Sequence, residues 1–95
     1  MPAYFVAMRE SLRDPEEMKI YSPKAKASLD KFEWAMRAYG GRLKVLEGDP
    51  IEEVVIVEFP SFDKAQEWYD SPAYQDAVQH RFRAADYRTF ITEGL

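Results

Sequence analysis

The segment from Val54 to Tyr74, VVIVEFPSFDKAQEWYDSPAY, constrains the fold of this chain more than any other part of the sequence. A strand with apolar residues on both faces runs into Pro60, and Ser61 then supplies the cap of a helix. Ser71 and Pro72 begin a further helix in the same way. A strand that is apolar on both faces requires cover on both sides of its sheet. A chain of 95 residues can supply helices for one side only, so the other side is predicted to need a partner.

The composition favours a folded domain and disfavours several classes of function. A hydrophobic content of 46% and an aromatic content of 15% predict one well-packed domain over residues 1–95. The formal net charge of -4 and the scattered basic residues disfavour nucleic acid as a partner. The chain has no cysteine, which excludes disulfides, thiol nucleophiles and cysteine-ligated zinc, and the lone His80 cannot form a histidine-rich metal site.

No segment predicts contact with a membrane. The first residues, MPAYFVAMRE, lack the basic region of a signal peptide, and no apolar run is long enough to span a bilayer. We therefore expect a cytoplasmic protein.

The first half of the chain predicts one strand followed by helix. Ala3 to Met8 is a short apolar run that predicts a strand, and Asp14 with Pro15 predicts the start of a helix. Pro23 predicts either a kink or a restart of that helix with Ser22 as the new cap.

Beyond Pro23, apolar residues recur at helical spacing and predict a helix that ends at Gly40-Gly41. The residues of this stripe are Ala25, Leu29, Phe32, Met36 and Tyr39. Trp34 lies off the stripe and is interpreted as a surface residue, an anchor at a partner interface or the lip of a pocket.

The second half of the chain predicts a hairpin, two helices and a last strand. Arg42 to Glu47 and Glu53 to Phe59 are predicted to form an antiparallel pair around a turn at Gly48-Asp49-Pro50. Helices are predicted over Phe62–Asp70 and Ala73–Ala85, and a strand over Tyr87–Thr92.

The resulting order of strand, helix, strand, strand, helix, strand is that of a ferredoxin-like α+β fold. Such a βαββαβ chain forms a four-stranded antiparallel sheet with its helices on one face. The first strand places Tyr4, Val6 and Met8 on the side opposite Ala3 and Phe5, and both sides are apolar. We therefore predict a homodimer in which the uncovered sheet faces of two copies pack together as a dimeric α+β barrel.

Arg81 falls inside the apolar stripe of the helix over Ala73–Ala85, which also contains Tyr74 and Phe82. A guanidinium on a buried face requires an anionic partner, and Glu58, another buried carboxylate or an anionic ligand are the alternatives. Arg81 could also extend its aliphatic stem along the core and reach water at the sheet edge.

His80 and Glu58 are the candidates for moving a proton, although a single histidine at a helix flank is often a surface residue. Aromatic residues could line a cavity between sheet and helices, and core packing is the alternative for most of them. The candidates for this lining are Tyr4, Tyr39, Trp68, Tyr69, Tyr74 and Tyr87.

Motifs for other chemistries are missing. The sequence contains no glycine-rich phosphate loop, no supported Ser-His-Asp order and no calcium loop, and it predicts neither a cofactor nor a metal. The strand EEVVIVEF lacks the aromatic pattern with which strands of this fold stack RNA bases.

Several short motifs occur along the chain in a fixed order: MPAYFVA, the Asp-Pro-Glu helix start, GGRLKVLEG, VVIVEFPSFDKAQEWYDSPAYQ, Gln79-His80-Arg81 and ITEG. Together they resemble the bacterial family catalogued as domain of unknown function 1330. The resemblance implies a dimeric α+β barrel whose activity is not established. This sequence differs from the shorter members of the family by additional residues between Pro23 and Gly40.

The family's pattern, carried over by position, implies importance for ten residues: Gly41, Glu58, Phe59, Trp68, Tyr69, Ser71, Tyr74, Arg81, Glu93 and Gly94. Two functions remain open. In one, the protein binds a small, anionic organic ligand through Arg81 or acts only as an assembly module. In the other, it is a cofactor-independent enzyme, resembling monooxygenases and isomerases of the barrel group, in which His80 or Glu58 moves a proton.

Overall fold

The computed structural model describes residues 1–95, which form four strands and three helices. In chain order the elements are β1 (Ala3–Leu12), α1 (Pro15–Ser28), β2 (Ala35–Tyr39), β3 (Glu53–Phe59), α2 (Phe62–Asp70), α3 (Pro72–Ala84) and β4 (Ala85–Glu93). No helix combines the length and apolar character that crossing a lipid bilayer requires.

The four strands form one antiparallel sheet in the order β2-β3-β1-β4, and the ferredoxin-like α+β fold is confirmed. All helices lie on one face of the sheet. The residues of β1 and β3 that face them are buried, namely Ala3, Phe5, Ala7, Val57 and Phe59. Trp68 of α2 and Tyr74 and Val78 of α3 complete the core against these strands.

Capping side chains fix where the helices begin, as predicted. The Asp14 carboxylate accepts from the backbone N–H groups of Glu16 and Glu17, and Pro15 takes the first helical position. Ser61 and Ser71 cap α2 and α3 through their hydroxyl oxygens. These local signals therefore set the helix starts correctly.

The predicted restart at Pro23 is wrong, because α1 continues through Pro23 to Ser28. The Ser22 side chain does not cap a new helix but donates to the Met18 carbonyl one turn earlier. Pro23 has no N–H, so it removes one backbone bond from the middle of α1.

The predicted helix up to Gly40 is also wrong, because α1 ends at Ser28 and residues Ala35–Tyr39 form β2. Pairing along β3 supplies the backbone partners that β3 would otherwise lack, and this tertiary gain outweighs the local helical pattern. Trp34, just before β2, is half-buried against the core rather than free on the surface.

The predicted strand over Arg42–Glu47 is wrong as well, since residues 41–52 form no strand or helix and residues 41–50 are exposed. Gly40 turns the chain out of β2 with φ of 60°, a left-handed conformation that favours glycine. The hairpin of β2 and β3 is antiparallel as predicted, but β2 lies earlier in the chain.

The sheet face opposite the helices is apolar at its centre. Val6 pairs with Ile56 on one side and with Phe90 on the other, so the three side chains form a row across three strands. Val6 and Ile56 are half-buried, and Phe90 is 46% exposed. No element of the chain covers this row.

Candidate functional site

Arg81 of α3 is buried among the core residues of its helix. Its exposed fraction is 4%, and the neighbouring Ala77, Val78 and Ala84 are fully buried. The prediction that Arg81 lies on the buried face is confirmed. No carboxylate forms an ion pair with it. The Nε atom of Arg81 is buried and has no hydrogen-bond partner.

Aromatic rings surround the Arg81 guanidinium instead of a carboxylate. Its central carbon lies 4.8 Å from the Tyr87 ring centre, 5.4 Å from that of Phe82 and 5.8 Å from that of Tyr21. Rings at these distances attract a cation by about 0.5–2 kcal/mol each, which offsets part of the cost of burying the charge. The prediction that Phe82 is buried is wrong, because its ring covers Arg81 from the outside and is 50% exposed.

Tyr74 and Tyr21 form a hydrogen-bonded pair next to Arg81. Their hydroxyl oxygens are 2.8 Å apart, and the positive charge of Arg81 lies near both phenols. Burial, together with the neighbouring Tyr74 phenol, raises the pKa of Tyr21 well above its ordinary value. Burial also raises the pKa of Tyr74, against the opposing effect of Arg81. Both phenols are therefore neutral at neutral pH.

A cavity of about 430 Å³ lies between α1 and the sheet. Its walls are mainly apolar, and the residues with polar side chains that line it include Tyr21, Tyr87 and Glu53. The wall residues of the cavity are Phe5, Ala7, Met18, Tyr21, Ser22, Pro23, Ala25, Lys26, Leu29, Tyr39, Glu53, Val55, Trp68 and Tyr87. The volume falls within the range of roughly 300–1,000 Å³ that is typical of small-molecule sites.

A more open recess of about 510 Å³ shares Tyr87 with this cavity as a lining residue. Arg81 borders the recess, together with Glu10 and Asp86. Burial raises the pKa of Tyr87, Glu53 adds to this effect, and Arg9 and Arg81 oppose it. The buried cation therefore borders the recess and lies 4.8 Å from the ring centre of Tyr87, the residue that borders both cavities.

Of the alternatives that the sequence left open for a partner of Arg81, Glu58 is ruled out. Glu58 pairs with Tyr4 in the sheet register, on the face turned away from the helices, and its carboxylate accepts from Arg37 Nε at 2.9 Å. The buried residues of β3 are the neighbouring Val57 and Phe59. Glu58 is therefore not part of the group around Arg81.

His80 lies outside both cavities. Its Nδ1 atom is 2.6 Å from a carboxylate oxygen of Glu17 on α1, so it links α3 to α1. The structure does not bring His80 together with Arg81, although the two are adjacent in sequence, because successive residues of a helix point in different directions.

The predicted aromatic residues divide between three positions. Trp68 and Tyr39 line the cavity, and Trp68 Nε1 donates to Ser28 Oγ at 2.9 Å. Tyr74 lies fully buried behind Tyr21, one layer away from the cavity. Tyr4 is on the opposite face of the sheet and does not reach the cavity.

Sequence reasoning missed three residues of the site: Arg9, Tyr21 and Glu53. Arg9 donates to Glu52 at 3.1 Å and lies 3.8 Å from Glu53, at the end of the sheet where Tyr87 stands. The alternation of β1 and β3, continued by one step, would have placed Arg9 and Glu53 on the helix-facing side. Tyr21 gave no such signal because α1 has a weak apolar pattern. No group of three or more histidine or carboxylate side chains lies together as a metal site requires.

Comparison with known proteins identifies a family and a fold. The family model described as Domain of unknown function (DUF1330) matches residues 2–95. No curated protein matches the sequence.

Solved structures resemble the whole chain. A protein of unknown function from Rhodopseudomonas palustris is 22% identical, with a TM-score of 0.74 over 99% of this chain and 82% of that chain. A dimeric ferredoxin-like protein of unknown function from Jannaschia sp. CCS1 is 14% identical, with a TM-score of 0.68 over 99% of this chain and 100% of that chain. SnoaB, a cofactor-independent oxygenase from Streptomyces nogalater, is 11% identical, with a TM-score of 0.67 over 99% of this chain and 93% of that chain. At these identities the likeness shows the fold alone.

Proposed function

This chain belongs to the family described as Domain of unknown function (DUF1330), and we propose that it is a homodimeric α+β barrel in which each subunit binds a small organic monoanion. The observation that carries this proposal is the buried Arg81 guanidinium without a carboxylate partner. The proposed binding site is the cavity between α1 and the sheet.

The charge balance around the cavity favours one negative charge on the ligand. Burying an unpaired guanidinium costs several kcal/mol, and nearby aromatic rings offset only part of that cost. Arg9, by contrast, already has Glu52 and Glu53 as partners. Arg81 is therefore the cation whose charge is left to balance, and a single anionic group is sufficient to balance it.

The tyrosine pair gives Arg81 a route to the cavity. The positive charge of Arg81 next to Tyr74 repels the Tyr74 hydroxyl proton, which favours donation of that proton to Tyr21. The Tyr21 proton is then free to be donated to a group in the cavity that Tyr21 lines. A chain of hydrogen bonds polarised by a cation donates more strongly at its end. An anion would be the preferred acceptor there.

The rest of the cavity favours an organic body over an inorganic ion. Phe5, Leu29, Val55 and Trp68 form apolar walls that gain free energy when water is displaced from them, about 25 cal/mol per Å² of apolar surface buried. A carboxylate attached to an aromatic or branched aliphatic group matches both parts of the site.

The dimer is supported by the uncovered sheet face. The row of Val6, Ile56 and Phe90 is apolar and half-exposed, and a bare patch of this kind invites association. A ferredoxin-like neighbour of similar fold is described as dimeric. We place the two-fold contact at this face. The cytoplasmic location and the lack of a nucleic-acid partner remain predictions from the sequence.

A second candidate function is a cofactor-independent enzyme that acts on the same kind of small organic molecule. Two observations favour it: the fold is that of the oxygenase SnoaB, and Glu53 presents a carboxylate to the cavity near Tyr87. Glu53 could accept a proton there, a role for which the sequence suggested His80 or Glu58. Both of those residues lie outside the cavity.

Ligand-induced stabilisation tests the binding proposal. Benzoate, salicylate and phenylacetate are compared with their neutral amides by thermal shift and calorimetry. We expect at least one carboxylate to raise the melting temperature of the wild type and its amide to have a much smaller effect. The same carboxylate should stabilise the variants Arg81→Met and Tyr21→Phe much less.

Two control variants show whether a loss of binding is specific. Arg83→Met removes an exposed arginine from the same helix, and Tyr4→Phe removes a hydroxyl from the opposite sheet face. Both should bind as the wild type does. Equal stabilisation of the wild type and Arg81→Met by every carboxylate would refute the role of Arg81.

The fate of the bound carboxylate distinguishes binding from catalysis. A carboxylate that is recovered unchanged after incubation supports the binding function. Chemical conversion of the carboxylate by the wild type, lost in Glu53→Gln, supports the enzyme.

A further inference from the structure

The segment from Gly41 to Ile51, which we call the arm, has the pattern of a strand but no partner within the chain. Its sequence GRLKVLEGDPI alternates apolar and charged residues around Leu43 and Val45. No backbone or side-chain hydrogen bond joins the arm to the rest of the chain, and the nearest backbone bonds are those of Gly40 and Glu52 on either side.

The arm also exposes apolar side chains that ordinary loops do not expose. Leu46 is 82% exposed, and Leu43 and Val45 are both exposed. An added Cβ atom at Gly41 or Gly48 would meet nothing within 4 Å, so the arm is open to solvent at these two positions. A strand-forming segment with free backbone groups and bare apolar side chains is a surface that pairs with another strand.

The sheet offers one long free edge. The nine residues of β4 pair with β1 on one side only, and their other side has no neighbour. The arm cannot reach this edge in its own subunit. It leaves the sheet from β2, and β3 and β1 lie between β2 and β4, which separates the two edges by roughly 14 Å.

We infer that the arm of each subunit adds as a strand to the free edge of β4 in a second copy of this chain. The exchange is reciprocal, so each copy gives one arm and receives one, as the two-fold symmetry of a homodimer requires. This inference rests on the proposed dimer and adds the arm to its sheet-face contact.

The size of the sheet face supports an additional contact. Four strands about 4.8 Å apart, over the seven residues of β3 at about 3.3 Å each, give a flat face of roughly 450 Å². Each partner in a stable interface commonly buries about 800 Å². The exposed apolar side chains of the arm supply further area.

Charges on the two segments are complementary. Lys44 and Glu47 on the arm and Arg88 and Glu93 on β4 are all exposed. None of the four forms an ion pair within its own chain. With Arg42 and Asp49, which are also exposed and unpaired, the arm carries two free charges of each sign, and β4 carries one of each sign to pair with them.

Amide hydrogen-exchange measurements on the wild-type protein test whether each arm pairs with the other subunit. At concentrations where sedimentation shows a dimer, we expect the amides of Leu43 to Leu46 to be protected, and this protection to disappear on dilution to monomer. Arm amides that exchange in the dimer as fast as in an unfolded peptide would refute the inference while leaving the dimer intact. A wild type that is monomeric at micromolar concentration would overturn the dimer and the arm together.

A shortened chain provides the second test. Deleting Arg42 to Glu47 joins Gly41 to Gly48 and leaves enough residues to connect β2 to β3. We expect this variant to remain folded, with a dimer dissociation constant at least tenfold higher than that of the wild type. Unchanged dissociation would refute the inference. The paired substitution Lys44→Ala with Glu47→Ala keeps the length of the arm and should weaken the dimer less than the deletion.

Discussion

Replacing Arg81 by methionine distinguishes a ligand-binding cation from a structural one. Arg81 is 4% exposed, has no carboxylate partner and leaves its Nε atom without a hydrogen bond. Methionine fills a similar volume and has no polar group that requires a partner. The substitution therefore removes a buried charge without removing an ion pair.

The expected magnitude follows from the contacts of Arg81. The variant loses attraction to three aromatic rings, about 0.5–2 kcal/mol each. It gains relief from the unpaired Nε, about 1–3 kcal/mol, and from the desolvation of the charge, which costs several kcal/mol. We expect the free energy of unfolding to be unchanged or up to about 2 kcal/mol higher.

Urea unfolding at a fixed protein concentration measures this change, because the proposed dimer would make stability depend on concentration. Arg83→Met is the matched control: its arginine is on the same helix, is exposed and lies 3.9 Å from Glu17, so its effect should stay within about 0.5 kcal/mol. A loss of more than about 3 kcal/mol in Arg81→Met is the result expected when a buried ion pair is broken. That result would refute the description of Arg81 as an unpaired cation.

Three further predictions concern the residues around the site and the turn before the arm. Burial and the neighbouring phenol raise the pKa of Tyr21 in the folded protein. The stability that this shift contributes is complete below about pH 10 and is lost as the pH rises through the folded pKa. Between pH 8 and pH 11 the urea midpoint of Tyr21→Phe should therefore fall less than that of the wild type. Gly40→Ala should cost about 1–2 kcal/mol because φ is +60°, whereas Gly41→Ala should be neutral in the same unfolding assay. Ser28→Ala leaves the indole N–H of Trp68 unpaired in the core and should cost about 1–3 kcal/mol, measured by fluorescence-detected unfolding.

Local signals in the sequence were sufficient wherever a side chain bonds to its own backbone neighbourhood. Asp14, Ser61 and Ser71 mark helix starts because their oxygens accept from N–H groups two or three residues later. The limits of β3 were likewise correct, since Pro60 ends a run of β-branched residues.

The region from Leu29 to Glu47 could not be predicted in the same way. Met36 and Tyr39 continue a helical spacing, but they form β2 because β3 provides backbone partners for them at another place in the chain. Arg42–Glu47 has the residue pattern of a strand, but no other strand of the subunit forms backbone hydrogen bonds with it. In both cases the outcome depends on whether a strand elsewhere in the chain is available as a partner, which the local pattern does not reveal.

The site was predicted in part for a related reason. Helical periodicity placed Arg81 on the buried face correctly, because that position depends on α3 alone. Glu58 was assigned to the wrong face of β3, and a shift of one residue in a strand reverses every side chain. Tyr21 is brought to Tyr74 by the packing of α1 on α3, which no local pattern reveals.

Pro23 within α1 has a consequence for how a molecule could enter the cavity. The helix packs chiefly on α3 and forms the roof above the sheet, and Pro23 itself lines the cavity. Because proline has no N–H, the carbonyl four residues earlier, that of Lys19, loses its partner inside the helix. The roof is thus weakest directly above the space that it covers. Bending of α1 at Pro23 would let a small molecule enter the cavity while the strands stay paired. The association rate would then depend on the stiffness of this one helical turn.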